Sequence, residues 1–280
     1  MGIKAAEITN KVAEMCMEAN YNLGDDIVQS YKEALAKEES EVAKNILEQL
    51  IENAKIAKKE RVPICQDTGM TVVFVELGQD AVIEGGELYS AINQGVAKGY
   101  KEGYLRKSVV SDPLDRENTK DNTPAVIHAE IVAGDGLKIT VAPKGFGSEN
   151  MSQIKMLKPT AGVEGVKEFV LKTVAEAGPN PCPPIIVGVG IGGTFEKAAL
   201  IAKKSLLRKV GARNPDPKTA ALEKQLLKEV NQLDVGPQGL GGLTTALDVK
   251  IEKYPTHIAG LPVAVNISCH VTRHQTRILA

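Results

Sequence analysis

Pro63-Ile64-Cys65-Gln66-Asp67-Thr68-Gly69 puts a soft metal ligand, an amide and a carboxylate on three consecutive residues between a proline and a glycine. Proline fixes one backbone angle and glycine frees another, so the stretch reads as a turn. Behind it lies a long helical pattern. Ahead lies the β-branched run 70–77, closed by Gly78, which reads as a buried strand. Helix, chemically loaded turn and strand in succession point to a mixed α/β fold with its chemistry at element ends.

Working outward, residues 3–60 are predicted helical. A partial apolar stripe (Ile8, Val12, Met15, Met17) is interrupted at 22–26 and resumes over 27–36. A third helix is expected over 41–58, with Ser40 as N-cap. Downstream, helices are expected over 86–103, 161–177, 195–209 and 218–233, and strands over 185–187, 249–252 and 261–268. The strands at 125–132 and 137–141 are joined by Ala133-Gly134-Asp135-Gly136, a hairpin signature, which argues against a purely parallel sheet. Two glycine-rich loops stand at 143–150 and 236–242. The first interleaves glycines with polar residues, so that backbone N–H groups can converge on an anion. The expected fold class is therefore mixed α/β. A helical segment (1–60) leads into an α/β region (61–280) with mixed or antiparallel sheets and glycine-rich loops, the whole of 1–280 forming one catalytic region.

Composition narrows the function. The chain has 280 residues, 43% hydrophobic and 25% charged, and a formal net charge of −1, so no overall field draws it to nucleic acid or to an anionic membrane. No apolar run reaches the ~18 residues of a spanning helix, and the N-terminus has no apolar signal core. With 4% aromatics and no Trp, a base-stacking surface is not expected. Four widely spaced cysteines without a C-x-x-C pair argue against a disulfide framework or a zinc ribbon and for a reducing cytoplasm.

Cys16 lies among apolar neighbours and reads as a structural thiol. Cys65, Cys182 (between Pro181 and Pro183) and Cys269 each stand at a turn or strand end, where free N–H groups can bond to cluster sulfurs. Two readings stay open: a three-cysteine metal site, or three inert thiols. In the first, a [4Fe–4S] cluster held by three thiolates keeps one open iron, able to act as a Lewis acid. Gly188 to Gly193 fits G-x-G-x-x-G, but no acidic residue follows at the dinucleotide spacing, so close helix–strand packing is the favoured use. Among the histidines, His128 reads as structural and His257 as a substrate contact. His270 and His274, spaced i and i+4, superficially resemble a zinc pair. Arg106 and Lys107 are either a solvated pair or a carboxylate clamp.

Taken together, 64–69, the Lys-Gly-Phe-Gly-Ser-Glu-Asn loop, the Asn180 to Pro184 segment with Gly188 to Gly193, and Pro255-Thr256-His257 through Cys269-His270 resemble the iron–sulfur class of fumarate hydratase and the related L(+)-tartrate dehydratase. The resemblance spans nearly the whole chain in the right order. It implies that Cys65, Cys182 and Cys269 hold a [4Fe–4S] cluster with one open iron. It further implies that Gln66, Arg106, Gly147 and His257 contact a small dicarboxylate, and that Asp67 assists proton movement. Because the chain ends soon after Cys269, it looks like the α subunit of the two-subunit form. A separate β subunit would then carry the C-terminal catalytic domain and the base, in a hetero-oligomer such as α2β2. The implied reaction is reversible hydration of fumarate to L-malate, a cytoplasmic step of the tricarboxylic acid cycle. Tartrate to oxaloacetate is the alternative, and a non-catalytic nucleotide-binding or structural subunit is the alternative of a different class.

Overall fold

A computed structural model describes residues 2–280. In chain order the elements are β1 (Ile3–Lys4), α1 (Ala5–Tyr21), α2 (Asp25–Lys37), α3 (Glu41–Glu60), β2 (Met70–Gly78), β3 (Ile83–Glu84), α4 (Leu88–Glu102), β4 (Val126–Val132), β5 (Leu137–Lys144) and α5 (Phe146–Glu149). Then come β6 (Gln153–Leu157), α6 (Gly162–Ala177), β7 (Ile185–Gly192), α7 (Phe195–Ser205), α8 (Pro217–Asn231), β8 (Ala246–Tyr254), β9 (Leu261–Ser268) and β10 (Gln275–Leu279). The expected mixed α/β class, with its helical N-terminal segment, is what the chain adopts. No helix among the described residues is long and apolar enough to cross a membrane.

The chain divides into two compact units, each drawn from separate stretches. The first takes the chain up to Leu23, Ala54–Phe146 and Arg273–Ala280. Its sheet has the order β10-β5-β2-β4. The apolar run of β2 is buried at Val72, Val73, Phe74 and Val75, which suits a central strand. Ile8, Val12, Met15 and Cys16 of α1, with Ile92, Val96 and Tyr100 of α4, pack against Val73, Val75, Ile139 and Val141. Each such buried side chain contributes about 1.5–3 kcal/mol of transfer free energy. His128 sits in β4 and stacks on Phe74, ring centroids 5.4 Å apart, as its structural reading requires.

One expectation fails here. β4 and β5 do not form a hairpin: β4 pairs parallel with β2, and β5 pairs antiparallel with β2 on its other edge. The Ala133 to Gly136 loop arches over the end of β2, with Gly78 N–H donating to Gly136 C=O (2.8 Å) and Asp80 N–H to Gly134 C=O (3.0 Å). A glycine-rich tetrapeptide that can close two neighbouring strands can also span two strand spacings of ~4.8 Å each. The more apolar β2 takes the place between them.

The second unit comprises Gly24–Asn53 and Gly147–Thr272, with sheet order β6-β9-β7-β8. β7 reads Ile-Ile-Val-Gly-Val-Gly-Ile-Gly, and its alternation explains the glycines. Ile185, Val187 and Val189 join the core with Phe169, Val170 and Leu226 of α6 and α8. Gly188 and Gly190 point to the opposite face, where α7 lies. A Cβ at Gly190 would stand 2.1 Å from the Ala198 carbonyl, and one at Gly188 2.3 Å from that of Ala202. The strand runs on to Gly192, so most of the G-x-G-x-x-G pattern is strand and not the loop its spacing suggests. Close helix–strand approach is what the glycines permit. Two short edge elements, β6 and β10, carry too little apolar alternation to be read from sequence.

Candidate functional site

The Cys65 turn belongs to the first unit and is fastened from beneath. Ile64 is buried and donates its N–H to Asn20 C=O (2.9 Å). The buried Tyr100 hydroxyl lies 2.7 Å from Thr68 C=O and 2.9 Å from Gly69 C=O, sharing one proton between them. Asn122 Nδ2 donates to Gly69 C=O (3.2 Å), and the Thr68 hydroxyl to Arg106 C=O (3.0 Å). Gly69 has φ +79°, and a Cβ there would meet Lys144 N at 2.7 Å, so both conformation and space call for glycine. Above this base Cys65 is half-buried and Gln66 exposed. Asp67 N–H points to Cys65 Sγ at 3.4 Å.

The Asp67 carboxylate has a structural task. Oδ1 accepts Gly69 N–H at 2.9 Å, and Oδ2 accepts Phe146 N–H at 2.8 Å. The anion that the 143–150 loop receives on Phe146 N–H is thus Asp67 itself, tying that loop to the cysteine turn.

Cys182 and Cys269 belong to the second unit. Cys182 is exposed, with φ +55°, and Cys269 is half-buried just after β9. Their turns are joined through His270, whose N–H donates to Cys182 C=O (3.3 Å) and whose Nδ1 lies 3.0 Å from the same oxygen. Pro183 C=O accepts from both Gln238 N (2.8 Å) and Gln238 Nε2 (2.7 Å). The buried Tyr31 hydroxyl of α2 donates to His270 C=O. Burial pushes the Tyr31 phenol well above its ordinary range, with the neighbouring Cys269 acting in the same direction. His270 and His274 lie in a turn and coil, so they share no helix face and the zinc-pair geometry does not form.

The expected substrate contacts are all accessible: Gln66 and Arg106 in the first unit, Gly147 and His257 in the second. His257 lines an open cleft of about 460 Å³ with Gly193, Thr194, Lys197 and Tyr254, at the start of α7. Its Nδ1 accepts Ala259 N–H at 3.2 Å, and Lys197 Nζ sits 4.6 Å above the Tyr254 ring. Tyr31, Tyr100, Asn122 and Arg273, which hold or flank the cysteine turns, carry no signal in the sequence. A buried polar residue is defined by its surroundings, which spacing does not show.

The donor chemistry fits a thiolate-bound cluster. Cys65, Cys182 and Cys269 are free of disulfides, and each lies outside helices and strands. Cys65 sulfur receives an N–H, the usual support of a cluster thiolate. Near this turn lies Arg273, a residue 5% exposed, with Nη2 donating to Asp67 C=O while Nε and Nη1 lack a hydrogen-bond partner among the described residues. Among the described residues no three His, Cys, Asp or Glu side chains gather tightly enough to hold one metal ion. A cubane cluster asks for less, since its thiolates are spread over separate irons.

A family model described as fumarate hydratase (Fumerase) matches residues 9–278. A Methanocaldococcus jannaschii chain with the provisional name L(+)-tartrate dehydratase subunit alpha is 47% identical over 275 residues, covering 95% of each chain. L(+)-tartrate dehydratase subunit alpha of Escherichia coli UTI89 is 35% identical over 96% of this chain and 90% of its own. The K12 strain's subunit of that name is 34% identical over 98% and 91%.

Proposed function

The chain belongs to the fumarate hydratase family, and from that premise we propose that it is the α subunit of a hydro-lyase for a four-carbon dicarboxylate, hydrating fumarate reversibly to L-malate. The observation that carries this reading is the Cys65 turn, an accessible thiol with an N–H on its sulfur and an exposed amide beside it, on a rigid buried base. Cys65, Cys182 and Cys269 would supply the thiolates. When bound, a [4Fe–4S] cluster with one open iron supplies a Lewis acid for the C–O bond.

The chain's own residues then bind and orient. Arg106 offers a fork of donors to one carboxylate. Gln66, His257 and the Gly147 N–H add hydrogen bonds that fix the substrate's geometry. Asp67, beside the first cysteine, is by position a candidate helper in proton movement. With both oxygens occupied by backbone N–H groups, it serves first to hold the Gly145–Phe146 backbone against the cysteine turn. The C3 proton is left to a base on a β subunit, and the two chains would form a hetero-oligomer such as α2β2 in a reducing cytoplasm.

A second reading, L(+)-tartrate to oxaloacetate, is favoured by the names of the three relatives above, each of which refers to tartrate. The two substrates differ by one hydroxyl. Anaerobic reconstitution of this chain with its β partner, followed by malate and tartrate turnover, separates the readings. The pair is expected to be active and the α chain alone inactive. Absence of iron and sulfide after reconstitution would sink both.

A further inference from the structure

We infer that Arg273 is a positioning residue for the Cys65 turn and the hydrogen-bonding counter-charge for the anionic cluster held there; this rests on the cofactor reading above. Arg273 is 5% exposed. Its Nη2 donates to Asp67 C=O, two residues past Cys65, whereas Nε and Nη1 are buried and meet no acceptor among the described residues. A buried cation left short of acceptors is costly, and folded chains seldom retain one without a use.

The contrast within this chain is direct. Fully buried Lys250 pairs with Asp248 at 2.7 Å and donates to the Lys209 and Ala212 carbonyls. Fully buried Glu223 pairs with Arg208 at 2.7 Å. Arg273 has no such satisfaction. Neither Tyr100 nor the Asp67 carboxylate accepts from the two buried nitrogens. Burial pushes the Tyr100 phenol well above its ordinary value, despite the opposing pull of the Arg273 charge, so the phenol stays neutral. The Asp67 carboxylate turns its oxygens to Gly69 and Phe146 N–H.

The nature of the missing acceptor follows from access. A dicarboxylate arrives from solvent and meets exposed groups such as Gln66 and Arg106. Arg273 lies beneath that surface, so its partner is a group resident within the protein. A [4Fe–4S] core carrying three thiolates is a net anion with sulfides that accept hydrogen bonds, and both charge and hydrogen bonding set how firmly it is held and how easily it is reduced. Arg273 matches both needs from the side of the Cys65 ligand.

The test compares wild type, Arg273→Met, Arg273→Gln and Arg273→Lys, reconstituted anaerobically as full chains with the β partner. Iron retention against a chelator and the midpoint potential of the cluster are read, with circular dichroism of the cluster-free chains as the folding check. Expected are a ten- to hundredfold weaker hold on iron in Met and Gln, as for other lost outer partners of a metal site, and a more negative potential. Lys, which keeps the charge and loses the fork, falls between. Retention and potential equal to wild type in the folded variants would overturn the inference, even if the cluster-free chains melt lower. Should Met fail to fold, Gln and Lys give the same readout. A wild-type chain that takes up no cluster would sink the cofactor reading itself, a result recognisable before any variant is compared.

Discussion

Replacing Asp67 by alanine separates a brace from a free catalytic carboxylate. The substitution removes two acceptors, Oδ1 from a part-buried Gly69 N–H at 2.9 Å and Oδ2 from a solvent-accessible Phe146 N–H at 2.8 Å. A hydrogen bond to an ionised group contributes about 1.5–3 kcal/mol when sheltered. Water can replace the exposed partner, so that bond is taken at about 0.5–1 kcal/mol. The expected loss is therefore about 2–4 kcal/mol, or roughly 4–16 °C in melting midpoint for a chain of this size. Calorimetry of the cluster-free chain is the assay, because it removes any effect through the cofactor. Asp67→Asn, which keeps one carbonyl acceptor but turns an amide donor to the other N–H, should lose at least half as much. A midpoint for Asp67→Ala equal to wild type, or above it, would refute the reasoning. Carboxylates placed for chemistry are commonly stability-neutral or costly, so that result would return Asp67 to a proton-transfer role.

Three further outcomes are expected. Gly190→Ala drives a Cβ to 2.1 Å from the Ala198 carbonyl, so α7 must shift and about 1–3 kcal/mol should be lost; an unchanged thermal midpoint would show that the β7 glycines serve something other than close packing. Burial pushes the Cys16 thiol up to about 12, from an ordinary value near 9. In the cluster-free chain at pH 8 a thiol reagent should thus leave Cys16 unmodified until denaturant is added, and early labelling of Cys16 would refute its burial. The same shift has a sign for stability. The folded chain holds this proton more tightly than the unfolded one, so its contribution is complete below pH 9 and is lost as pH rises through 9 toward 12. A Cys16→Ala chain should lack that alkaline component.

The sequence by itself determined the class of the fold, most of its helices and the position of the cysteine turn. Each is a local pattern: apolar stripes at helical spacing in α1, α3 and α6, a β-branched run in β2, and proline or glycine beside Cys65 and Cys182. It also placed the family, because those short patterns recur in one order along nearly the whole chain. The tertiary structure alone decided which strands are neighbours. Loop composition around Gly134 allows both a hairpin and an arch, and the choice depends on β2 pairing along both of its edges, with β4 on one side and β5 on the other. The sequence already favoured close helix–strand packing for the glycines of β7, and the structure added that Gly188 and Gly190 make that room for α7 from within the strand. Above all it decided what Asp67 and Arg273 do. Whether a carboxylate is free or occupied, and whether a guanidinium is paired or waiting, depends on atoms brought together from residues 67, 146 and 273, whose separation along the chain hides them from any local reading.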